Sequence, residues 1–148
     1  EIASCLVGSE MCIRDRFIVM GIVMAVSGTA AYLARLLAEI GAGYLALSPF
    51  VGALGGFVTG SSSGSNAMFA ATQAEIARSL NADLLLFMAT HNVAAAISIL
   101  ASPGKIEMAV QLAGGDASVH RRWVQRMAIA VVLGATGLLA LVNLASQV

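Results

Sequence analysis

Residues 59 to 69 read Thr-Gly-Ser-Ser-Ser-Gly-Ser-Asn-Ala-Met-Phe. Thr59, Ser61, Ser62, Ser63 and Ser65 supply hydroxyls and Asn66 a carboxamide, with Gly60 and Gly64 loosening the backbone between them. None of these groups carries charge, and together they offer hydrogen bonds rather than bond-making chemistry. A helix opening at Asn66, with Ser65 as its N-cap, would add unpaired N–H groups and a partial positive charge. Hydroxyls beside a helix N-terminus favour a carboxylate. In a soluble protein the same run would be an ordinary surface loop, so its neighbours decide.

Those neighbours are strongly apolar. The chain has 148 residues, 59% hydrophobic and 11% charged, with a mean hydropathy of +0.88. Soluble domains carry about 25% charged residues, so this chain cannot cover a soluble surface. Its apolar mass comes from Ala, Gly, Leu, Val and Met, small or flexible residues that let helices approach closely in lipid. The expected class is an all-α integral membrane protein. Net charge is zero, which removes the basic face that nucleic-acid binding needs. Cys5 and Cys12 have no metal-ligand spacing, and no metal or other cofactor is expected.

Glu1 to Arg16, EIASCLVGSEMCIRDR, has no helical apolar stripe and lacks the layout of a signal peptide. It resembles translated sequencing-adapter read-through, the alternative being a short extramembrane tail. Residues 1–16 are therefore set apart as non-native or disordered, and 17–148 are read as the C-terminal part of a transporter membrane domain.

Phe17 to Ile40 nearly supplies the 20 or so apolar residues a spanning helix needs. Ser27, Gly28 and Thr29 at its middle suit a packing patch. Arg35 and Glu39, four apart, can pair near its end. After a turn at Gly41 to Gly43, Tyr44 is placed as an interfacial anchor. Leu45 to Val58 is too short to cross as a straight helix, which suggests a re-entrant half-helix. Gly52, Gly55 and Gly56 would let a neighbour pack against its backbone. Asn66 to Leu80 is the returning half-helix, on which Glu75 and Arg78 pair at i, i+3.

Asp83 can cap a third apolar stretch, Leu84 to Ser102. Thr90, His91 and Asn92 lie at its centre, where polar groups are costly unless bonded. His91 is the titratable group there whose ordinary pKa is near neutrality; it is either a bonded packing histidine or a proton carrier. Ser102-Pro103 breaks the stretch. Two interrupted apolar segments point to a transport site better than one, which adds Ser102 to the candidates. Lys105 beside it either snorkels or offers charge to an anion. His120, Arg121, Arg122, Trp123 and Arg126 read as a membrane-surface segment, and Met127 to Leu144 as the final span. The arginines place that segment in the cytoplasm and Val148 outside.

With these residues in view, the chain resembles the C-terminal part of the L-lactate permease family from about Val26 through Ala145. The residues carrying the likeness are Ser27-Gly28, Ser48-Pro49-Phe50-Val51-Gly52, Gly56-Phe57-Val58-Thr59-Gly60-Ser61, Ser65-Asn66-Ala67-Met68-Phe69 and Gln73, then Ser102-Pro103 with Ile106 and the Gly-Gly-Asp element at 114–116. The resemblance implies a multi-pass secondary transporter of the bacterial inner membrane for lactate and similar 2-hydroxymonocarboxylates such as glycolate, coupled to protons. The family is similar to a wider superfamily of inverted-repeat anion transporters, in which hairpin serines and asparagine contact the substrate carboxylate. By motif position, that role falls to Thr59, Ser61, Ser65 and Asn66. Ser62 and Ser63 stand where relatives often have Asp or Asn followed by Thr, and Ala94 to Ala96 where they commonly have glycines. On this reading the chain is a fragment that needs a missing N-terminal half to complete the pathway.

Two other readings differ in class. An accessory membrane subunit would use the polar breaks only to pack helices, and would tolerate changes at Ser61, Ser65 and Asn66. A membrane enzyme finds no paired carboxylates, metal-ligand spacing or nucleophile beside a base. The expectation is a transporter and not an enzyme.

Overall fold

In a computed structural model of the chain, the described residues are 43–113 and 117–145 with isolated positions between 19 and 41. All regular elements among them are helical: α1 Gly43–Thr59, α2 Ser62–Ser79, α3 Leu84–Ser98 with a 3₁₀ turn Ile99–Ala101, α4 Pro103–Ala113 and α5 Ala117–Ala145. Two segments, Leu84–Ala101 and His120–Ala145, are long and apolar enough to cross a membrane, and Gly43–Thr59 is a shorter apolar helix.

Helix α1 is the post against which α2, α3 and α5 pack. Its glycines explain how. A Cβ on Gly56 would run into the Ala95 carbonyl and the Ser98 hydroxyl, and one on Gly52 would meet the backbone and ring of His91. The advancing register, 52 with 91 and 56 with 95, makes α1 and α3 parallel. Helix α2 returns antiparallel, with Gly55 against Ser65 and Phe69. Small residues at all these positions allow backbone-to-side-chain contact, as the sequence suggested. At the far end of the hairpin, Tyr44, Leu45, Ile76, Ala77 and Phe87 form a buried cluster. Tyr44 is 1% exposed and its ring stacks on Phe87 at 6.4 Å. The expected interfacial anchor is instead a core residue, because Phe87 of α3 covers it.

The proline in α1 has a partner across the fold. Pro49 has no N–H, so the Leu45 carbonyl one turn before it loses its helical donor. Asn143 of α5 supplies a replacement, its Nδ2 donating to Leu45 O at 3.2 Å. Asn143 Oδ1 in turn lies 3.0 Å from the Thr90 hydroxyl, so one carboxamide joins α1, α3 and α5. An unsatisfied buried carbonyl costs about 1–3 kcal/mol. Asn143→Leu is therefore expected to destabilise a complete permease carrying these helices by about that much. Thermal unfolding in detergent checks this, and an unchanged transition would mean the carbonyl is satisfied elsewhere.

Helix α2 ends in a reciprocal pair of backbone bonds, Ala82 N–H to Ala77 O at 2.9 Å and Asn81 N–H to Arg78 O at 3.2 Å. Asn81 takes the left-handed conformation at φ 53°, the position where helix ends favour Gly or Asn. Asp83 then caps α3, its side chain accepting from Leu85 N and Leu86 N. The Glu75–Arg78 pair forms at 2.6 Å on the exposed face. Helix α5 joins the basic segment and the final span without a break, and Arg121 reaches Glu107 of α4 at 3.2 Å. Trp123 is exposed. Arg35 and Gly114 to Asp116 lie outside the described residues.

Candidate functional site

The candidate site is the tip of the α1–α2 hairpin. Gly60 turns the chain with φ +62°, a conformation that costs little only for glycine. Thr59 fastens the turn: its Oγ1 lies 2.7 Å from Gly55 O and 2.8 Å from Ser61 O, and it accepts from Ser61 N at 3.2 Å. Ser61, in extended backbone, caps α2 by accepting from Gly64 N.

Helix α2 thus starts at Ser62, one turn before the expected Asn66, and Ser61 rather than Ser65 is its N-cap. The reason is a tertiary contact. The Ser65 hydroxyl donates to Gly52 O at 3.0 Å across the hairpin, and the residue is fully buried. Thr59, Ser61 and Ser65 therefore spend their hydroxyls inside the hairpin. The groups left facing outward are on the other side of α2: Ser62 is half-buried, Ser63 exposed, and Asn66, one turn on, half-buried. Asn66 Nδ2 donates to Asn92 Oδ1 of α3 at 2.8 Å. Asn66 Oδ1 is shielded from solvent and has no partner among the described residues. Sequence reasoning placed Asn92 at the centre of its span without giving it a role, because a contact spanning 26 residues leaves no local signal.

The second interruption comes to the same place. A Cβ on Gly60 would lie 3.1 Å from Ser102 Oγ and 3.9 Å from Lys105 Cε. Ser102 is buried and precedes Pro103, the first residue of α4. Proline suits the first position of a helix, where its missing N–H costs nothing. The N-terminal ends of α2 and α4 are thereby neighbours, and each carries a partial positive charge. Lys105 stands alongside them.

His91 stands apart from this tip. It is fully buried against Gly52, and neither ring nitrogen has a partner among the described residues. Ser48, one turn before Gly52 on α1, is also buried with its hydroxyl unpartnered there. Ser27 and Thr29 are exposed and bonded to each other at 2.8 Å. A cavity of about 260 Å³ between α1 and α5 is walled by Phe50, Leu54, Phe57, Val132 and Leu133. Its one hydroxyl, on Thr136, goes to Val132 O, so it offers a carboxylate nothing. Among the described residues no cluster of His, Cys, Asp or Glu could hold a metal ion.

The chain matches the L-lactate permease family over residues 10–145. It is 37% identical to the L-lactate permease of Escherichia coli (strain K12) over 106 residues, covering 70% of this chain and 19% of that protein. The L-lactate permease of Salmonella typhi is 35% identical over 106 residues, with the same coverage of both chains. The glycolate permease GlcA of Escherichia coli (strain K12) is 35% identical over 88 residues, 60% of this chain and 16% of that one. The chain spans about a fifth of the length of the curated relatives it matches. No solved structure matches it.

Proposed function

Because the chain belongs to the L-lactate permease family, we propose that it forms part of a secondary transporter for L-lactate and related small 2-hydroxymonocarboxylates such as glycolate, driven by proton symport. The observation that carries this reading is the meeting of two helix starts at Gly60 and Ser102, beside outward-facing Ser62, Ser63 and Asn66. Partial positive charge and hydrogen-bond donors converge there, which suits a small anion that must bind and leave. Thr59, Ser61 and Ser65 hold the tip in shape, and Ser62, Ser63, Asn66 and Ser102 face the solute.

His91 is the residue we assign to the coupling proton. It is titratable, lies mid-span and is fully buried against Gly52, and an intramembrane ionisable residue serves function by default. An opposing hairpin from the rest of a longer permease would complete a two-sided, inverted-repeat site. The protein would lie in the bacterial inner membrane as a multi-pass protein, Arg121 and Arg122 on its cytoplasmic side.

The test is uptake of labelled lactate by cells that lack their own lactate permeases and express a complete permease carrying these helices. Saturable uptake that falls to background with a protonophore is expected. Saturable uptake indifferent to the protonophore would remove the proton, and none at all would remove the transporter reading.

A further inference from the structure

Asn92 sits ninth in the 18-residue apolar segment Leu84–Ala101, and it is exposed. A carboxamide at mid-membrane depth is costly against lipid, so an exposed one there belongs beside a polar pathway. Its neighbours one turn away on the same face, Ala89 and Ala96, are also exposed and small, which leaves the approach to the amide open. The amide is tied to the candidate site by the 2.8 Å bond from Asn66 Nδ2.

The remaining valences of the pair define a ligand. Asn66 Nδ2 gives one proton to Asn92 and keeps one to give, while Asn66 Oδ1 is shielded from solvent and closed to a solute. Asn92 Oδ1 is engaged, while its Nδ2 carries two donors. Around one bonded amide pair there are thus donors on both residues, which can serve the oxygens of a carboxylate and of a neighbouring hydroxyl. A monocarboxylate with a hydroxyl on the adjacent carbon takes donors from both residues, its hydroxyl oxygen accepting from Asn92 Nδ2; one without it leaves that donor unused. We infer that Asn92, bonded to Asn66, is a specificity-determining residue through which the site reads the 2-hydroxyl of its solute. This rests on the transport reading given above, and extends it from the charge of the solute to its second functional group.

The experiment compares uptake of labelled lactate with labelled propionate, which lacks the hydroxyl, in a complete permease carrying these helices. The ratio of the two rates is internal to each preparation, so it does not depend on how much protein inserts. In the unaltered protein lactate is preferred. In Asn92→Leu that preference falls about tenfold, the worth of roughly one hydrogen bond. Asn92→Ser, too short to reach Asn66, is expected to give the same fall. A ratio unchanged within about twofold in both variants, with the two rates dropping together, would make Asn92 a packing residue and overturn the inference while leaving transport standing. An unaltered protein that takes up both acids equally well would also overturn it. An unaltered protein that takes up neither would overturn the transport reading, and this inference with it.

Discussion

Asn66→Ala lowers lactate uptake by a complete permease by about ten- to a hundredfold, while the protein still inserts at its normal level. The size follows from the charge of the partner. A hydrogen bond to an ionised group is worth about 1.5–3 kcal/mol, and each 1.4 kcal/mol is about a factor of ten. The fold should survive because Asn66 is half-buried on the outward side of α2. Its side-chain bond goes to exposed Asn92 rather than into the core, and alanine is the better helix former. Ser65→Ala makes an informative companion. Its hydroxyl holds Gly52 O, so its loss should show in stability more than in affinity. Normal uptake by Asn66→Ala would favour the accessory-subunit reading, in which polar residues only pack helices.

Gly56→Val should prevent the helices from assembling at all. A Cβ at this position collides with the Ala95 carbonyl and the Ser98 hydroxyl, and Ser98 is itself tied to Ala95 O at 2.8 Å. Neither obstacle is the free end of a flexible chain, so α1 and α3 must separate. Overpacking of a close core contact costs about 1–3 kcal/mol, and a backbone obstacle puts this case at or above the upper end. Gly137 is the control, since nothing lies within 4 Å of a Cβ placed there. The check is the amount of monodisperse protein recovered from membranes. Gly56→Val should leave little and Gly137→Ala the usual amount; equal recovery would mean that α1 and α3 do not pack through Gly56.

The hairpin was legible because length and punctuation agreed. A short apolar run closed by Gly and Ser predicts a break in the chain, and α1 ends at Thr59 with α2 beginning two residues after Gly60. The Asp83 cap, the Glu75–Arg78 pair and the glycine contacts are likewise local or periodic signals. What stayed hidden depended on distant partners. Ser61 and Ser65 are equally good caps by type, and the tie is broken by Gly52 O, 13 residues from Ser65. Tyr44 has the makeup of an interfacial residue until Phe87 stacks on it. The service Asn143 gives to the carbonyl freed by Pro49 spans 98 residues. Asn92 joined the site for the same reason: helical periodicity tells which face a residue shares, not what lies opposite.

Exchange in liposomes tests, without the complications of cell metabolism, whether the hairpin tip meets the solute. A complete permease carrying these helices is reconstituted with unlabelled lactate inside, and entry of labelled lactate is followed in the unaltered protein and in Asn66→Ala. Rapid exchange is expected of the unaltered protein, and exchange slowed about ten- to a hundredfold of the variant. Equal exchange by the two would mean that the tip does not meet the solute.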